Sequence, residues 1–352
     1  ASYLRNNGYK TISNGKISHY PKDATYGWDD MFRSPKSNPK DYKDPLNIKN
    51  LKNNFGPASE FIYADDNDYS DGKVTQKTLR DIQSINNDDK PYFIAVGFQK
   101  PHLPFIAPKK YWDLYDRNDI SLPYNNFFPP SAPKKANYFY ELRKFTDIPD
   151  NGPIADSKAK ELIHAYYACV SYIDAQIGLV LDELDNQGLT DNTTVVLTSD
   201  HGFSLSEHGR WTKHNLFQYE LKIPMIISSP KYKKNKTSKS FVELVDLYPT
   251  FCDIAGLEIP DFVQGKSLIY NLKNPKKITN DIAFSRWQNG ETLISNKYYY
   301  TEWSRKGNLT HRMLYDIEND ELQMNNIAEI KSKKSIVDSL SSMLNKHIKS
   351  IN

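Results

Sequence analysis

The sequence predicts an α/β fold: a mainly parallel sheet between helices, then a small C-terminal antiparallel α+β subdomain. Three observations carry this. Apolar, β-branched runs recur at 92–97 (YFIAVG), 194–199 (TVVLTS) and 223–228 (IPMIIS). Runs of this kind read as strands buried on both faces. A long helix at 157–186 stands between the first two, an order that implies a right-handed parallel crossover. Beyond about residue 275 the pattern changes to short alternating strands, FSRWQNG, ETLISNKYYYTEW and HRMLYDIEN, closed by an amphipathic helix at 335–349. The expected division is therefore 1–275 and 276–352.

In order, ASYLRNNGYK reads as the end of a helix closed by Asn7 and Gly8. The chain thus reads as starting inside a fold, with a segment upstream of Ala1. Residues 9–13 are a short strand, and Gly15 in NGKISH allows close backbone approach at its end. Lys16 and His19, three residues apart, read from this stretch alone as surface residues. Residues 20–75 are rich in Asn, Asp, Lys, Pro and Tyr and read as long loops. A modest helix follows at 74–85. After the 92–97 strand, Lys100 and His102 flank Pro101, and Pro104 stiffens the loop. A histidine held this way suits catalysis, although prolines also simply end strands.

Residues 106–155 are again loop-rich. In the 157–186 helix, Leu162, Ile163, Tyr166, Cys169, Val170, Ile173, Ile177, Val180, Leu181 and Leu184 recur at helical spacing. That stripe reads as core, and Gly188 ends the helix. The basic stretch at 231–239, KYKKNKTSK, reads as a solvated surface loop. FVELVDLYPTFCDIAG reads as a strand end running into a helix.

Composition excludes several classes. The 352 residues carry a net charge of only +3, which supports no nucleic-acid role. Mean hydropathy is −0.69, and no apolar run approaches a membrane span. The 24 tyrosines suit a carbohydrate surface, or equally a compositional bias shared with the many Lys and Asn residues. With two cysteines, Cys169 and Cys252, there is no disulfide framework. Both read as core residues, and a bond between them is left open.

The richest stretch is TVVLTSDHGFSLSEHGRWTK. Asp200, His201 and Gly202 follow directly on a strand end, where open α/β sheets build their sites. Glu207, His208, Arg210, Lys213 and His214 come next. Oxygen and nitrogen ligands beside lysines suit a cation and an anionic substrate. A plain polar loop, with Asp200 capping a turn, fits as well.

These motifs resemble the type I sulfatases of the alkaline phosphatase superfamily. The residues that carry the likeness are GYKTISNGKISH, PYFIAVGFQKPHLPF, TVVLTSDHGFSLSEHGRWTK, FVELVDLYPTFCDIAGL with QGKSL, and LYDIENDELQMNNIA, in family order over almost the whole chain. The resemblance implies an alkaline-phosphatase-like sandwich and a sulfuric ester hydrolase. It implies that Asp200, with His201 beside it, binds a divalent cation, usually calcium. Lys16 and Lys213 would contact sulfate oxygens, His19 would lie beside the nucleophile, and His102 near the leaving-group oxygen. Phe203, Leu205 and His214 lie where specificity contacts are expected. All these side chains are expected in one cleft. The implied substrate is a sulfated saccharide, a 2-O-sulfated uronic acid in a glycosaminoglycan or similar polysaccharide, and the implied location is exported: periplasm, cell surface or lysosome.

One departure matters. The family carries a Cys-x-Pro/Ala-x-Arg segment whose cysteine becomes formylglycine, the nucleophile, and an aspartate pair on its first strand. Neither occurs here, so the 352 residues alone are expected to be inactive, with poor calcium affinity and exposed apolar surface. Two other readings stand beside this one. The first is a phosphatase or phosphonate-ester hydrolase of the same superfamily. The second is a non-catalytic binding module for sulfated glycans.

Overall fold

The structure is a computed structural model and describes residues 1–20, 22–23, 25–35, 40–85, 90–232 and 235–351. The chain divides into two compact units, Ala1–Leu122 with Tyr140–Asn192, and Pro123–Phe139 with Thr193–Asn352.

In chain order, the first unit contains α1 (Ser2–Asn6), β1 (Lys10–Gly15), β2 (Asp30–Phe32), α2 (Pro45–Lys49), β3 (Ser59–Ile62), α3 (Ser70–Ile85), β4 (Tyr92–Gly97), β5 (Phe105–Pro108), α4 (Lys109–Trp112) and α5 (Asp156–Asn186). β1 is central in a parallel sheet ordered β2-β1-β4, and β3 and β5 form a second parallel pair. Asn7 caps α1 and Gly8 follows at φ 89°, as expected. Two polar side chains buried along β1 find acceptors, although Asn14 Oδ1 has no partner among the described residues. The Thr11 hydroxyl donates to Gly27 O (3.0 Å), and the Asn14 amide donates to Asp81 (2.7 Å) and Thr78 (3.1 Å) on α3.

Helix α3 starts four residues before its apolar pattern does. Ser70 is anchored by Asp41, which accepts from both its N–H and its hydroxyl at 2.7 Å. The loop reading of 20–75 misses β3. Its Glu60 looks out of place in a strand, yet it is 4% exposed. Its carboxylate accepts from the N–H of Lys43 (2.7 Å) and the Asn47 amide (2.8 Å). Helix α5 has the expected limits, but its buried side is narrower than the apolar stripe. Leu162, Ile163, Ala165, Ala168, Cys169 and Tyr172 are buried, whereas Val170 is 45% and Leu181 42% exposed.

The second unit contains β6 (Val195–Thr198), α6 (Gln218–Leu221), β7 (Met225–Ser228), α7 (Leu247–Ala255), α8 (Ile269–Lys273), β8 (Ile282–Trp287), β9 (Gly290–Ser295), β10 (Tyr298–Arg305), β11 (Asn308–Asp316) and α9 (Lys334–Ile351). Here two expectations fail. β6 pairs with β7, antiparallel, so it does not enter a parallel crossover by pairing with β4. The runs at β4, β6 and β7 are also not buried on both faces. β4 is half-buried throughout, Thr198 of β6 is exposed, and Ile226 of β7 is 57% exposed. An apolar run shows that a strand can be covered, not how many layers cover it. Residues 241–243 belong to no strand. They lead into α7, which Gly256 ends at φ 69°. Of the basic stretch 231–239, residues 233 and 234 lie outside the described residues.

The C-terminal sheet is antiparallel, ordered β11-β10-β9-β8, as the alternation beyond residue 275 predicts. Its two faces bury different things, because successive strand residues point oppositely. Leu293, Tyr300 and Leu314 pack with Val337, Leu340 and Leu344 of α9. Trp303, Met313 and Tyr315 pack with Ala132, Ala136, Leu216 and Phe217. FVELVD and QGKSL are joined through Asp246, whose carboxylate accepts from the N–H of Glu243 (2.9 Å) and Lys266 (2.8 Å). Cys169 and Cys252 are both free and buried, which settles the open question of a bond between them.

Two predictions follow from this packing. At Gly15, φ is +83°, and a Cβ would lie 2.1 Å from the Gly97 carbonyl oxygen. Gly15→Ala should therefore destabilise the fold by roughly 2–5 kcal/mol, from overpacking plus the positive-φ penalty. Urea unfolding measures it, and a change below 1 kcal/mol would contradict the close approach.

The second concerns His208, which is fully buried. Burial, then the neighbouring Arg210 charge, push its pKa down from 6.5 to about 4. The folded state thus binds this proton less readily than the unfolded chain. The stability contributed is complete above about 6.5 and is lost as pH falls from there toward 4, to the extent of about 3 kcal/mol. His208→Gln, which keeps an N–H donor, should flatten the fall in melting temperature between pH 7 and pH 4.5. Parallel slopes for the two proteins would refute this.

Candidate active site

In the first unit, the residues singled out from the sequence gather at the ends of β1 and β4. Gly15 pairs with Gly97, and the Lys16 N–H donates to Gly97 O at 2.7 Å. Lys16 therefore leaves the sheet at a fixed point. Its ammonium has no ion-pair or hydrogen-bond partner among the described residues. His19 lies farther along the same loop, exposed, with its ring edge-on to Tyr20 at 4.7 Å.

The loop after β4 is held from two sides. Asp71, in the first turn of α3 and 4% exposed, accepts from the backbone N–H of Gln99 (2.8 Å) and Lys100 (2.9 Å). Burial raises its carboxyl pKa, and the two N–H donors and the Lys100 charge oppose that rise. The Lys100 ammonium donates to the carbonyls of Pro104 (2.6 Å) and His102 (3.3 Å). Lys100 is thus a brace for the loop, and both X–Pro bonds beside His102 are cis. His102 Nδ1 lies 2.7 Å from the Leu103 carbonyl, which can only accept, so Nδ1 carries the proton of that bond. The Glu141 carboxylate lies 3.7 Å from Nε2.

In the second unit, Asp200 and His201 follow β6 after Ser199. His201 repeats the arrangement of His102, with Nδ1 2.7 Å from the carbonyl of the next residue, Gly202. Its Nε2 faces Asp200 Oδ1 at 3.6 Å, and the Asp200 side chain is 71% exposed. Gly202 is required for proximity rather than for a turn. A Cβ there would sit 2.1 Å from the Tyr219 carbonyl oxygen, and its N–H donates to Glu220 O at 2.8 Å.

The loop then doubles back. Ser204 N–H donates to Thr212 O and Ser206 N–H to Arg210 O, both at 2.9 Å. In that register Lys213 falls opposite Phe203, just past Gly202. His214 is fixed between aromatics, stacked on Trp287 (4.7 Å, 20°) and edge-on to Tyr138 (5.0 Å, 84°). Glu207, His208 and Arg210 turn inward instead. Arg210 is 1% exposed, donates to Ala136 O at 2.7 Å, and lies 3.5 Å from Glu220. The Glu207 pKa is raised, chiefly by burial.

Sequence reasoning missed Asp71, Glu141, Trp287 and Tyr138. Asp71 reads only as an acid in the first turn of a helix. Nothing in the local pattern marks Glu141, Trp287 or Tyr138 as neighbours of His102 or His214.

The residues do not make a calcium site by themselves. Among the described residues there is no group of three or more His, Cys, Asp and Glu able to hold a metal ion. Calcium takes roughly six to eight oxygen ligands, and Asp200 supplies two at most. Neither cysteine suits a nucleophile. Burial pushes the Cys169 thiol up to about 12 and raises that of Cys252.

Comparison with known proteins gives these motifs a frame. A family model described as Sulfatase matches residues 1–257. A second, described as N-sulphoglucosamine sulphohydrolase, C-terminal, matches residues 206–350. Iduronate 2-sulfatase of Mus musculus is 30% identical over 303 residues, covering 73% of this chain and 54% of that protein. A sulfatase of Formosa agariphila is 28% identical over 361 residues, covering 98% of this chain and 68% of that one. The chain thus spans about half the length of the iduronate 2-sulfatases it matches.

Two solved structures are similar over 99% of this chain. One is a complex with its substrate D-glucosamine-2-N,6-O-disulfate, with TM-score 0.76 and 21% identity over 81% of that chain. The other is a phosphonate monoester hydrolase from Silicibacter pomeroyi, with TM-score 0.78 and 19% identity over 79% of that chain. At such identities these two speak for the fold, an α/β architecture with a parallel sheet and a C-terminal antiparallel sheet. The family model covers most of the chain and agrees with the strand-end motifs described above: the chain belongs to the sulfatase family.

Proposed function

We propose that this chain carries the sulfate-binding and proton-handling residues of a sulfuric ester hydrolase acting on a sulfated glycan. The observation that carries the reading is the return of the loop through the Ser204–Thr212 and Ser206–Arg210 bonds, a register that sets Lys213 opposite Phe203, shortly after Asp200 and His201. A lysine built into a rigid return is placed before any substrate arrives, so little reorganisation is needed when charge grows on a sulfate oxygen.

In this reading Lys16 and Lys213 each contact sulfate oxygens. His102 Nε2 delivers a proton to the departing sugar oxygen, with Glu141 close enough to stabilise the charged ring. His201, oriented by the Gly202 carbonyl, presents Nε2 beside Asp200. His19 and His214 flank the reacting group and the saccharide respectively. No step is assigned to a metal, because the described donors do not amount to a site. The attacking nucleophile is not among these residues either.

Resemblance to iduronate 2-sulfatases supports a 2-O-sulfated uronic acid as the substrate, and with it an exported protein. No helix of the described residues is long and apolar enough to cross a membrane. The phosphonate monoester hydrolase neighbour keeps one competing reaction in view. A phenylphosphonate ester belongs beside the sulfate ester in every assay.

The test has two stages. Sulfate release from a 2-O-sulfated uronate disaccharide by these 352 residues should not exceed that of Lys213→Ala. Turnover well above that control would defeat the assignment of the nucleophile elsewhere. With a Cys-x-Pro/Ala-x-Arg segment and its aspartates supplied upstream, activity should appear. Lys16→Ala and Lys213→Ala should then each lower kcat/KM by about 10²–10³. The double variant should lose less than the product of the two, as expected for groups acting as a unit. His102→Ala should cost about 10²–10⁴ with the sugar alkoxide leaving group and much less with a nitrophenol. Equal losses on both substrates would remove His102 from the proton-transfer role.

A further inference from the structure

We propose that the β8–β9 hairpin and the Lys213–Asn215 turn form a saccharide-binding face, with Trp287 as the platform for a sugar ring. The proposal rests on the sulfated-glycan reading above and adds to it the residues that would grip the sugar rather than its sulfate.

Four observations converge. First, Trp287 ends β8 and is 36% exposed, so part of its ring is open to a ligand. One side is stacked by His214 at 4.7 Å, and Tyr138 closes on His214 from the edge. The platform is therefore rigid. Second, a cleft of about 30 Å³ opens between Lys135, Tyr138, His214, Asn215, Trp287 and Gln288. It admits one hydroxyl-sized group, so a sugar would lie across the mouth with a single substituent inside.

Third, Asn215 is 5% exposed, and its side-chain NH₂ has no acceptor among the described residues. A buried donor left unmatched costs about 1–3 kcal/mol, and a sugar hydroxyl entering the cleft would accept from it. Fourth, Gln288 holds φ 53° in the hairpin turn, a position that glycine or asparagine fills at lower cost. The side chain retained there lines the cleft. An aromatic floor with a few amide and ammonium donors at its rim suits a sugar ring, whose C–H face is apolar and whose edge is polar. Lys213 immediately precedes His214, which links this face to the sulfate-binding lysine.

The test is calorimetric titration of the full 352-residue chain with a uronate–glucosamine disaccharide, with and without its 2-O-sulfate. Wild type should bind both, the sulfated form more tightly. Trp287→Ala should weaken both forms by tenfold or more, whereas Trp287→Phe should stay within about threefold of wild type. Tyr138→Leu, which loosens His214 from the far side, should weaken both by a smaller factor. It serves as the second probe should Trp287→Ala melt early. Lys213→Ala should erase the preference for the sulfated form.

Unchanged affinity in both Trp287→Ala and Tyr138→Leu would overturn the proposal, as would failure of wild type to bind either disaccharide. If Trp287→Ala loses binding but neither the sulfate nor Lys213 matters, the saccharide face stands and the sulfatase reading of Lys213 falls.

Discussion

The burial of the Arg210 guanidinium is the constraint on which the second unit depends. An isolated buried charge is costly, so everything around it has to answer it. The Ala136 carbonyl accepts from it, His208 Nδ1 lies 3.2 Å away, and the Phe217 ring lies 4.4 Å from its carbon. Glu220 provides the countercharge at 3.5 Å and also accepts from the Ser204 hydroxyl. Burial pulls the two groups in opposite senses, lowering the Arg210 pKa and raising that of Glu220, and each charge offsets the other. His208 completes the set in its neutral form, its Nε2–H donating to Leu322 O at 2.7 Å. The cluster fixes the loop that returns from β6, and Lys213 inherits its position.

The EHGRWTK run thus divides between two tasks. His208 and Arg210 hold the interior, and Trp211 is buried with them. Lys213 ends the run half-buried, outside that interior, and leads into His214, which stacks on Trp287. In KPH, Lys100 ties its own loop together through two carbonyls, and the His102 ring is held through Nδ1. His102 and His201 also share a device: each ring is oriented by the carbonyl of the residue that follows it. The device is local and needs no distant partner, so it places a ring nitrogen wherever the backbone places the histidine.

How much of this could be read in advance depended on the range of the interaction responsible. β4, α5 and the C-terminal sheet follow from local periodicity, and all appear where periodicity puts them. The close approach at Gly15 was legible because glycine at a strand end has few other uses. By contrast, Asp71 reaches Gln99 and Lys100, Asp41 reaches Ser70, and Glu60 reaches Lys43. Those contacts exist only once the chain has folded, and no spacing rule announces them. The depth of burial was misread for a related reason. Val195 to Leu197 are as apolar as a central strand, but a strand with one ladder partner keeps an open edge.

The interleaving of the two units has a consequence for how the protein is made. Residues 123–139 belong with a part of the chain that begins at Thr193. Asn125 O receives the His208 N–H, Ala136 O receives Arg210, and Ser131 Oγ accepts from Asn326 N–H, 195 residues later. At ribosomal speeds of roughly 5–20 residues per second, Ser131 is made some 10–40 seconds before that partner exists. Over that interval Ala132 and Ala136 have no sheet to pack on, and the carbonyl that will receive the buried guanidinium is hydrated. The second unit therefore closes late and all but at once, when β10 and β11 emerge. Until then the cell handles a ribosome-bound chain carrying a committed first unit and a waiting strap of seventeen residues.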